Sequence, residues 1–508
     1  MPAASRLALA AALAIGGCSR CGQAPSPPAT PPAEARAAPT VLTVKRPAGP
    51  EWFGLYLVGK KAGYTRTEIR TETREGRTVL VARQETELTV AVGPNTVRRV
   101  QRDEKVYEAR PGGRLLEFRS LRSGDGGERS ARGRCAADGC TVVVEAEGGR
   151  EERRIPDPRE TAEQADAARL AAALRGDVQG PQLEAEQLRV RQVEDAYRGR
   201  RSLGGAGVEL PVSVVEEREA GDRAPMEVLV ADDGRIVELR LGAVVARAEP
   251  EETARRLDRV DLFNLTRVKV PGPLPREVPL AIAYRLRGLP ASFRVDDARQ
   301  RFEALPGGDT RVTVTARTPA AADPRRDAPR ARGASGPLRD LLSPSAETIG
   351  QVDSDAPALR ALAAEVAGDA PGAYAAAVRI ERYVYRKLEK TFGRSRDRAS
   401  EVLASGQGDC TEHALLFTAL ARAAGVPARP VYGLVYARYG DGQDALYWHA
   451  WAEVRSGDEW IALDPTFGED VADATHLALG RGTQVDAVAL LGGLEVVSAD
   501  PRPVPRRG

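Results

Sequence analysis

The stretch that decides the fold of this chain begins at residues 408–414, which read GDCTEHA. It continues through an apolar segment to HAWAEV at 449–454 and WIALDPT at 460–466. These segments bring a Cys, a His and an Asp in that order, in a chain with only 5 Cys and 3 His. The first is predicted to open a helix and the other two to form neighbouring strands. The arrangement indicates a thiol nucleophile, Cys410, with a base, His449, and a carboxylate that orients the base, Asp464.

A capping box predicts where the helix begins. Asp409 is a favoured N-cap residue and Glu412 stands three residues later, so the two side chains can satisfy orphan backbone N–H groups at the helix start. Cys410 is then the first helical residue, and we expect the positive end of the helix macrodipole to lower the pKa of its thiol. The helix is apolar around most of its circumference up to Gly425, which predicts a buried helix and a rigid mount for the sulfur.

The two strand segments are placed in register if Ser456 and Gly457 form a two-residue hairpin loop. On this register His449 lies directly opposite Asp464. The other predicted cross-strand pairs are Trp451–Ala462, Glu453–Trp460, Ala450–Leu463 and Ala452–Ile461. The last two pairs are apolar and predict the face toward the core, whereas His449 and Asp464 share the opposite face.

Together these motifs resemble the transglutaminase-like superfamily. The resemblance rests on GQGDCTEHA at 406–414, AGVPAR at 424–429, HAWAEV, WIALDPT, and ATHL at 474–477. It extends over residues 341–497 and implies a papain-like α/β fold. It also implies thiol-mediated acyl transfer without a cofactor, either hydrolysis of an amide bond or transfer of the acyl group to an amine. Matched residue by residue, it makes Cys410 the nucleophile, His449 the base and Asp464 the orienting group.

Other interpretations of the same residues stay open. A buried Cys at a helix start is often an inert small hydrophobic residue, in which case Cys410 has no chemical role. His413 could join Glu412 in a metal site, but no HExxH motif or His-rich partner accompanies it, which favours a structural hydrogen bond. We therefore predict no metal site. His476 either lines the cleft or caps a helix.

The first 17 residues predict export. Arg6 precedes an apolar run over 7–15, and small residues then lead into Cys18. This pattern resembles a bacterial lipoprotein signal in which Cys18 becomes lipidated; an ordinary secretory signal with an unmodified Cys18 is the alternative. The run is shorter than the ~20 apolar residues of a spanning helix. We expect the mature protein in the cell envelope on the periplasmic face, and Ser19, which is not an acidic retention residue, favours the outer membrane.

Cys135 and Cys140 flank the turn sequence AADG, so hairpin strands would bring the two thiols together. We predict a disulfide here, which suits an oxidising compartment. A zinc half-site is the competing interpretation, although no second Cys or His pair lies nearby in the sequence. Cys21 receives no role.

The rest of the chain divides by composition. Residues 18–50 are rich in Pro and Ala and predict an extended tether. Residues 51–155 alternate polar with apolar or β-branched residues, and 156–320 add an Ala-rich helix and further strands, so we predict two antiparallel β-rich units. Residues 321–340 predict a linker, and 341–508 the transglutaminase-like domain.

A short echo links the two β-rich units. GRLLEFR at 113–119 resembles GRIVELR at 234–240, which indicates either diverged copies or halves of one large sheet. The predicted fold class is thus multidomain α+β, with two antiparallel β-rich units followed by a papain-like, transglutaminase-like α/β domain.

The charge balance bears on partners. Lys plus Arg total 74 against 72 Asp plus Glu, for a net charge of +2, and the signs are interspersed. The charge distribution therefore gives no indication of nucleic-acid binding. We expect a cysteine amide hydrolase or acyltransferase whose partner is a protein or peptide substrate, held to the membrane by a lipid anchor only. The alternative is a catalytically silent envelope scaffold, or a lipoprotein that binds peptide or glycan.

Overall fold

The computed structural model describes residues 38–92, 95–125, 127–146, 149–205, 208–219, 224–272, 274, 280–347, 350–391, 396–438, 444–482 and 490–502. They form two compact units: the first contains the described residues of 38–89 and 98–259, and the second those of 90–97 and 260–502. The predicted signal peptide, Cys18, Cys21 and most of the predicted tether lie outside the described residues. Within the described ranges, every helix is too short or too polar to cross a membrane.

The first unit is built on one antiparallel sheet of 14 strands. The strands are β1 (Glu51–Leu57), β2 (Lys60–Arg74), β3 (Arg77–Val92), β4 (Asn95–Glu108), β5 (Leu115–Gly124), β6 (Arg129–Ala136), β7 (Gly139–Ala146), β8 (Gly149–Ile155), β9 (Val178–Glu184), β10 (Arg189–Gly205), β11 (Val208–Glu219), β12 (Met226–Ala231), β13 (Ile236–Leu241) and β14 (Val244–Ala248). A 3₁₀ turn (Ala162–Asp166) and helix α1 (Ala167–Leu174) connect β8 to β9, and α2 (Glu251–Ala254) follows β14.

The single sheet corrects the predicted division into 51–155 and 156–320. Strand β1 pairs with β14, from Phe53 opposite Ala248 to Leu57 opposite Val244. This pairing joins the two runs of strands edge to edge, so neither run keeps an exposed inner edge. The sequence echo falls largely on β5 and β13 of this sheet, which agrees with the interpretation of the two units as halves of one sheet.

A disulfide joins Cys135 to Cys140 across the hairpin between β6 and β7, as the hairpin spacing predicts. The two residues are directly opposed in the strand register, with their Cα atoms 4.0 Å apart. The bond therefore staples one hairpin of the first unit.

The second unit contains the remaining elements. Its helices are α3 (Leu262–Thr266), α4 (Pro337–Asp340), α5 (Pro357–Ala367), α6 (Ala373–Lys387), α7 (Ala399–Ser405) and α8 (Cys410–Ala423), with 3₁₀ turns at Ala291–Phe293 and Ala320–Ala322. Its strands are β15 (Val268–Lys269), β16 (Ala281–Arg287), β17 (Gln300–Ala304), β18 (Thr310–Thr315), β19 (Ser345–Glu347), β20 (Gly350–Val352), β21 (Glu389–Lys390), β22 (Gln407–Gly408), β23 (Ala428–Arg438), β24 (Asp444–Ser456), β25 (Glu459–Leu463), β26 (His476–Arg481) and β27 (Glu495–Arg502).

The second unit is layered around a central sheet in the order β15, β24, β23, β26, with β25 paired to β24. One apolar core packs helices α5, α6 and α8 against this sheet; its members include Leu359, Ile380, Leu416 and Ala452. A second core packs the sheet against four further strands in the order β17, β18, β16, β27. Because β16 pairs with the last strand, β27, the unit begins near residue 260 and not at the predicted residue 341.

The predicted linker, 321–340, is a packed part of the second unit. The carboxylate of Asp327 accepts the backbone N–H groups of Tyr374 and Ala375, each at 2.9 Å, in the first turn of α6. The hydroxyl of Ser456 donates to the same carboxylate at 2.8 Å. Helix α6 has Gly372 at its N-cap and no side-chain cap of its own, so Asp327 supplies the missing acceptor. The Pro- and Arg-rich composition therefore marks irregular structure and not a domain boundary.

Candidate active site

Cys410 is the first residue of helix α8, as the capping box predicts. The carboxylate of Asp409 accepts the N–H of Thr411 at 2.8 Å, and the carboxylate of Glu412 accepts the N–H of Asp409 at 2.9 Å. The helix is buried from Glu412 to Arg422, whereas Cys410 is half-buried. The fold thus mounts the sulfur on a fixed helix terminus.

The environment of the thiol differs from the expectation. Burial raises the pKa of the Cys410 thiol well above its ordinary value, and the negative charge of Asp409 adds to this effect. A hydrogen bond from the backbone N–H of Ala450 to the sulfur acts in the opposite direction. The expected lowering of the pKa is therefore wrong for this conformation, because desolvation and the capping carboxylate outweigh the helix terminus. The contact with Ala450 places the sulfur beside the residue that follows His449.

His449 and Asp464 meet, with both side chains fully buried and Nε2 lying 2.6 Å from Oδ2. Burial by itself raises the pKa of Asp464, but its electrostatic interactions and hydrogen bonds with His449 and His476 outweigh the burial and hold the pKa far below its ordinary range. Because an ionised carboxylate only accepts, His449 carries a proton on Nε2. Its Nδ1 is buried and has no hydrogen-bond partner in the described part of the chain.

The strand register differs from the predicted one by two residues. The hairpin loop is Gly457-Asp458, with Gly457 at φ 60°, a conformation that suits glycine at this turn position. The observed pairs are Glu453–Ala462, Arg455–Trp460, Ala452–Leu463 and Val454–Ile461. They replace the predicted Trp451–Ala462, Glu453–Trp460, Ala450–Leu463 and Ala452–Ile461. A shift of two residues leaves every side chain on its face, so His449 and Asp464 still share a face but meet diagonally.

The loop after Asp464 fixes both partners. Oδ1 of Asp464 accepts the N–H groups of Thr466 at 2.6 Å and Phe467 at 3.1 Å. The ring of Phe467 stacks on the imidazole of His449, with centroids 4.8 Å apart and planes 10° apart. The sequence motifs do not predict a role for Phe467, and its place directly after DPT is the one signal that points to it.

His476, which the sequence left undecided, lies at Asp464. Its Nε2 is 3.0 Å from the same Oδ2 that His449 contacts, and its Nδ1 is 3.2 Å from Oδ1 of Asp473. Burial acts to lower the pKa of His476, but the hydrogen bonds to Asp464 and Asp473 raise it to about 9. Asp464 therefore lies between two imidazole rings, one of which is charged at neutral pH.

His413 has the structural hydrogen bond that its sequence context favours. Its Nδ1–H donates to the backbone carbonyl of Asp409 at 2.7 Å. Burial lowers the pKa of His413, so the ring is neutral. The residue supports the start of helix α8.

Two groups of side chains are close enough to surround a metal ion: His449, Asp464 and His476, and also Glu469, Asp473 and His476. In the first group, both Nε2 atoms carry protons that are donated to Asp464. In the second, Nδ1–H of His476 is donated to Asp473. These contacts form a hydrogen-bond network among the described residues, and metal binding would require these nitrogens to release their protons.

Residues 360–465 match the model of the transglutaminase-like superfamily, and this range contains Cys410, His449 and Asp464. The chain carries a transglutaminase-like domain. The predicted fold class is thereby confirmed, with antiparallel β structure preceding the transglutaminase-like domain, although the two β-rich units are one sheet. None of the curated proteins matches this chain.

Three of the solved structures that match this chain are described by their coverage and identity. A candidate cysteine protease from Cytophaga hutchinsonii is 17% identical, with a TM-score of 0.28, and the match covers 46% of this chain and 83% of that one. The periplasmic domain of TgpA from Pseudomonas aeruginosa is 19% identical, with a TM-score of 0.23 and coverage of 46% and 81%. A candidate protease from Parabacteroides distasonis is 13% identical, with a TM-score of 0.19 and coverage of 67% and 64%. The transglutaminase-like domain is assigned here from the family model and its motifs.

Proposed function

We propose that this protein is a cysteine-dependent amide hydrolase or acyltransferase, with Cys410 as nucleophile, His449 as base and Asp464 as the orienting carboxylate. The observation that carries the proposal is the buried Nδ1 of His449, which has no partner among the described residues while Asp464 fixes the other nitrogen. An unpaired buried acceptor costs about 1–3 kcal/mol. Such a cost is understandable at a site where the atom has to accept a proton.

In the proposed reaction, Nδ1 of His449 takes the thiol proton as the sulfur of Cys410 attacks the carbonyl carbon of an amide. The amine leaves with that proton, and a thioester remains on Cys410. Water or an amine then attacks the thioester and regenerates the thiol. Because burial holds the thiol protonated, the base has to act during the attack, so loss of His449 should abolish turnover.

The catalytically silent scaffold is the second candidate, and the raised pKa of the Cys410 thiol favours it. A neutral thiol beside the carboxylate of Asp409 is a poor nucleophile unless a base activates it. Reactivity measurements therefore separate the two candidates.

The cellular setting is also a proposal. We propose that Cys18 carries a lipid and that the first part of the segment 18–50 is a tether that holds the folded units on the periplasmic face of the outer membrane. The predicted extended tether does not reach residue 50, because Val41 is fully buried in a core of the first unit and Arg46 pairs with Asp166. The support is the apolar run over 7–15 that leads into Cys18. A protein or peptide of the envelope would then be the substrate. Labelling with a radioactive fatty acid, in the wild type and in Cys18→Ala, tests the anchor.

The pH dependence of alkylation by iodoacetamide tests the proposed nucleophile, with peptide mapping to separate Cys410 from Cys21. At pH 7 we expect Cys410 to react at least tenfold faster in the wild type and in the control Asp470→Asn, whose carboxylate pairs with Arg382, than in His449→Ala. Slow alkylation with a midpoint above the ordinary thiol pKa of ~8.5, unchanged in His449→Ala, would support the scaffold. Incubation with a glutamine-containing peptide and a labelled amine then separates hydrolysis, which releases ammonia alone, from amine transfer, which labels the peptide.

A further inference from the structure

Asp464 accepts a hydrogen bond from a side chain that the proposed triad does not use. Its Oδ2 is shared by Nε2 of His449 at 2.6 Å and Nε2 of His476 at 3.0 Å. Its Oδ1 is filled by the N–H groups of Thr466 and Phe467. With its acceptor positions taken, the carboxylate stays ionised and both imidazoles have to donate to it.

The other nitrogen of His476 faces two more carboxyl groups. Nδ1 lies 3.2 Å from Oδ1 of Asp473 and 3.9 Å from Oε2 of Glu469. Burial acts to raise the pKa of Asp473, but its hydrogen bonds with His476 and Thr475 lower it, so this carboxyl is ionised and accepts as well. Since both ring nitrogens donate to carboxylates, His476 holds two protons and a positive charge.

We propose that His476 is a positioning residue of the site, a buried cation held by Asp473 that shares the carboxylate of Asp464 with His449. This inference rests on the proposed function, which makes His449 the base. A carboxylate beside an imidazole favours the protonated ring, whereas a general base has to be neutral to take a proton. The cation on the other side of Asp464 opposes that tendency, while Asp464 still accepts the proton on Nε2 of His449.

The packing around His476 makes this coupling direct. The centroids of the His476 and His449 rings lie 5.9 Å apart, and both side chains are fully buried. The groups that face His476 are the carboxyls of Asp464, Asp473 and Glu469 and the imidazole of His449, with the edges of aromatic rings around them. Burial raises the pKa of Glu469 to about 7, so this group adds a negative charge near His476 only at neutral to basic pH.

Nitrogen-15 NMR of the histidine rings tests the proposal in the full chain, which has only 3 His. At pH 7 we expect two protonated ring nitrogens on His476 and a proton on Nε2 alone of His449. His476→Gln keeps an amide donor but removes the charge. We expect two values to move upward by about one pH unit in this variant. They are the pH at which His449 takes up a second proton and the midpoint of the acid limb of Cys410-dependent acyl transfer. A side chain that only fills space would lower stability without moving either.

Asp473→Asn is a second variant that tests the same coupling if His476→Gln does not fold. It keeps the volume and an acceptor oxygen but removes the charge that holds the second proton of His476, so we expect that proton to leave at lower pH. Asp470→Asn is the matched control, because Asp470 pairs with Arg382 and not with His476. We expect it to leave both histidine titrations unchanged.

The outcomes separate this inference from the proposed function. A singly protonated His476 at pH 7 in the wild type, or a His449 titration that neither variant moves, overturns the inference. Histidine titrations that shift as expected while Cys410 stays unreactive at every pH overturn the proposed function and leave the charge coupling in place.

Discussion

Two buried carboxylates, one in each unit, are bound by similar numbers of donors but end their networks differently. In the first unit, Glu160 accepts two hydrogen bonds from Nζ of Lys105, at 2.8 and 3.0 Å. It also accepts the hydroxyl of Tyr107 and the N–H of Leu183, each at 2.7 Å. In the second unit, Asp464 accepts from two imidazoles and two backbone N–H groups.

The chemical type of the donors makes the difference. An ammonium, a phenol and a backbone N–H complete the network of Glu160, and a satisfied buried network of this kind fixes a fold. An imidazole has a second nitrogen, and in His449 that nitrogen is left bare and buried. The comparison teaches that an open nitrogen indicates chemistry only together with its surroundings. His413 also has a buried Nε2 without a partner among the described residues, but its Nδ1 bonds to a backbone carbonyl, whereas His449 is bound to the carboxylate of Asp464.

Exchange of each carboxylate for its amide should have the largest effects and tests the difference between the two networks most directly. We expect Asp464→Asn to lower acyl transfer roughly 10³- to 10⁴-fold, because an amide can donate to His449 and select the wrong tautomer. We expect Glu160→Gln to cost about 3–5 kcal/mol of unfolding free energy, because it leaves Lys105 buried without its counter-charge. Transfer of a labelled amine to a glutamine-containing peptide measures the first effect, and urea unfolding measures the second. A comparable loss of acyl transfer in both variants would contradict the distinction.

The pH dependence of stability should distinguish the two networks further. Because the pKa of His476 is raised to about 9 in the folded state, from ~6.5 in an unfolded chain, its contribution is complete below pH ~6.5 and is lost as the pH rises through about 9. We expect the second unit to lose up to about 3 kcal/mol over this window. Asp464 acts in the opposite sense, since its lowered pKa stabilises above pH ~4 and the contribution is lost on acidification.

Calorimetry between pH 6 and pH 9 measures this effect on the second unit. His476→Gln should weaken the alkaline loss, and an undiminished loss in that variant would assign it to other groups. The described part of the first unit contains no histidine and provides an internal reference.

Reduction of the disulfide should affect the first unit alone. A closed loop between residues five apart stabilises by about 2 kcal/mol through the entropy of the unfolded chain. We therefore expect Cys135→Ser together with Cys140→Ser to lower the unfolding transition of the first unit. The transition of the second unit and the alkylation rate of Cys410 are the controls, and a change in either would show that the units do not respond separately.

The smallest effect is expected at the predicted linker. Asp327→Ala removes the acceptor at the start of α6 and should cost the second unit about 1 kcal/mol. Asp323→Ala is the matched control, because that carboxylate bonds to Arg325 of its own turn. Equal stability of the two variants in urea unfolding would mean that 321–340 is a linker after all.

Much of the site could be predicted from the sequence, but its energetics could not. The start of α8 at Cys410 follows from the Asp409 and Glu412 pair, and the shared face of His449 and Asp464 follows from the two-residue period of strands. The strand register could not be fixed, because Ser456-Gly457 and Gly457-Asp458 are both plausible two-residue turns. The direction of the thiol pKa was missed because it depends on how much water the finished fold excludes.

By itself the sequence determined the local features of this protein: the capping box, the hairpin that pairs Cys135 with Cys140, and the motifs around Cys410. These features depend on residues that are close in the chain or on a repeating backbone period, so a short window contains the cause. Only the tertiary structure decided that β1 and β14 join two runs of strands in one sheet, and that His476 shares Asp464 with His449. Both depend on which distant segments meet, and the burial, hydrogen bonds and charges at those meetings shift the pKa values of Cys410, Asp464 and His476.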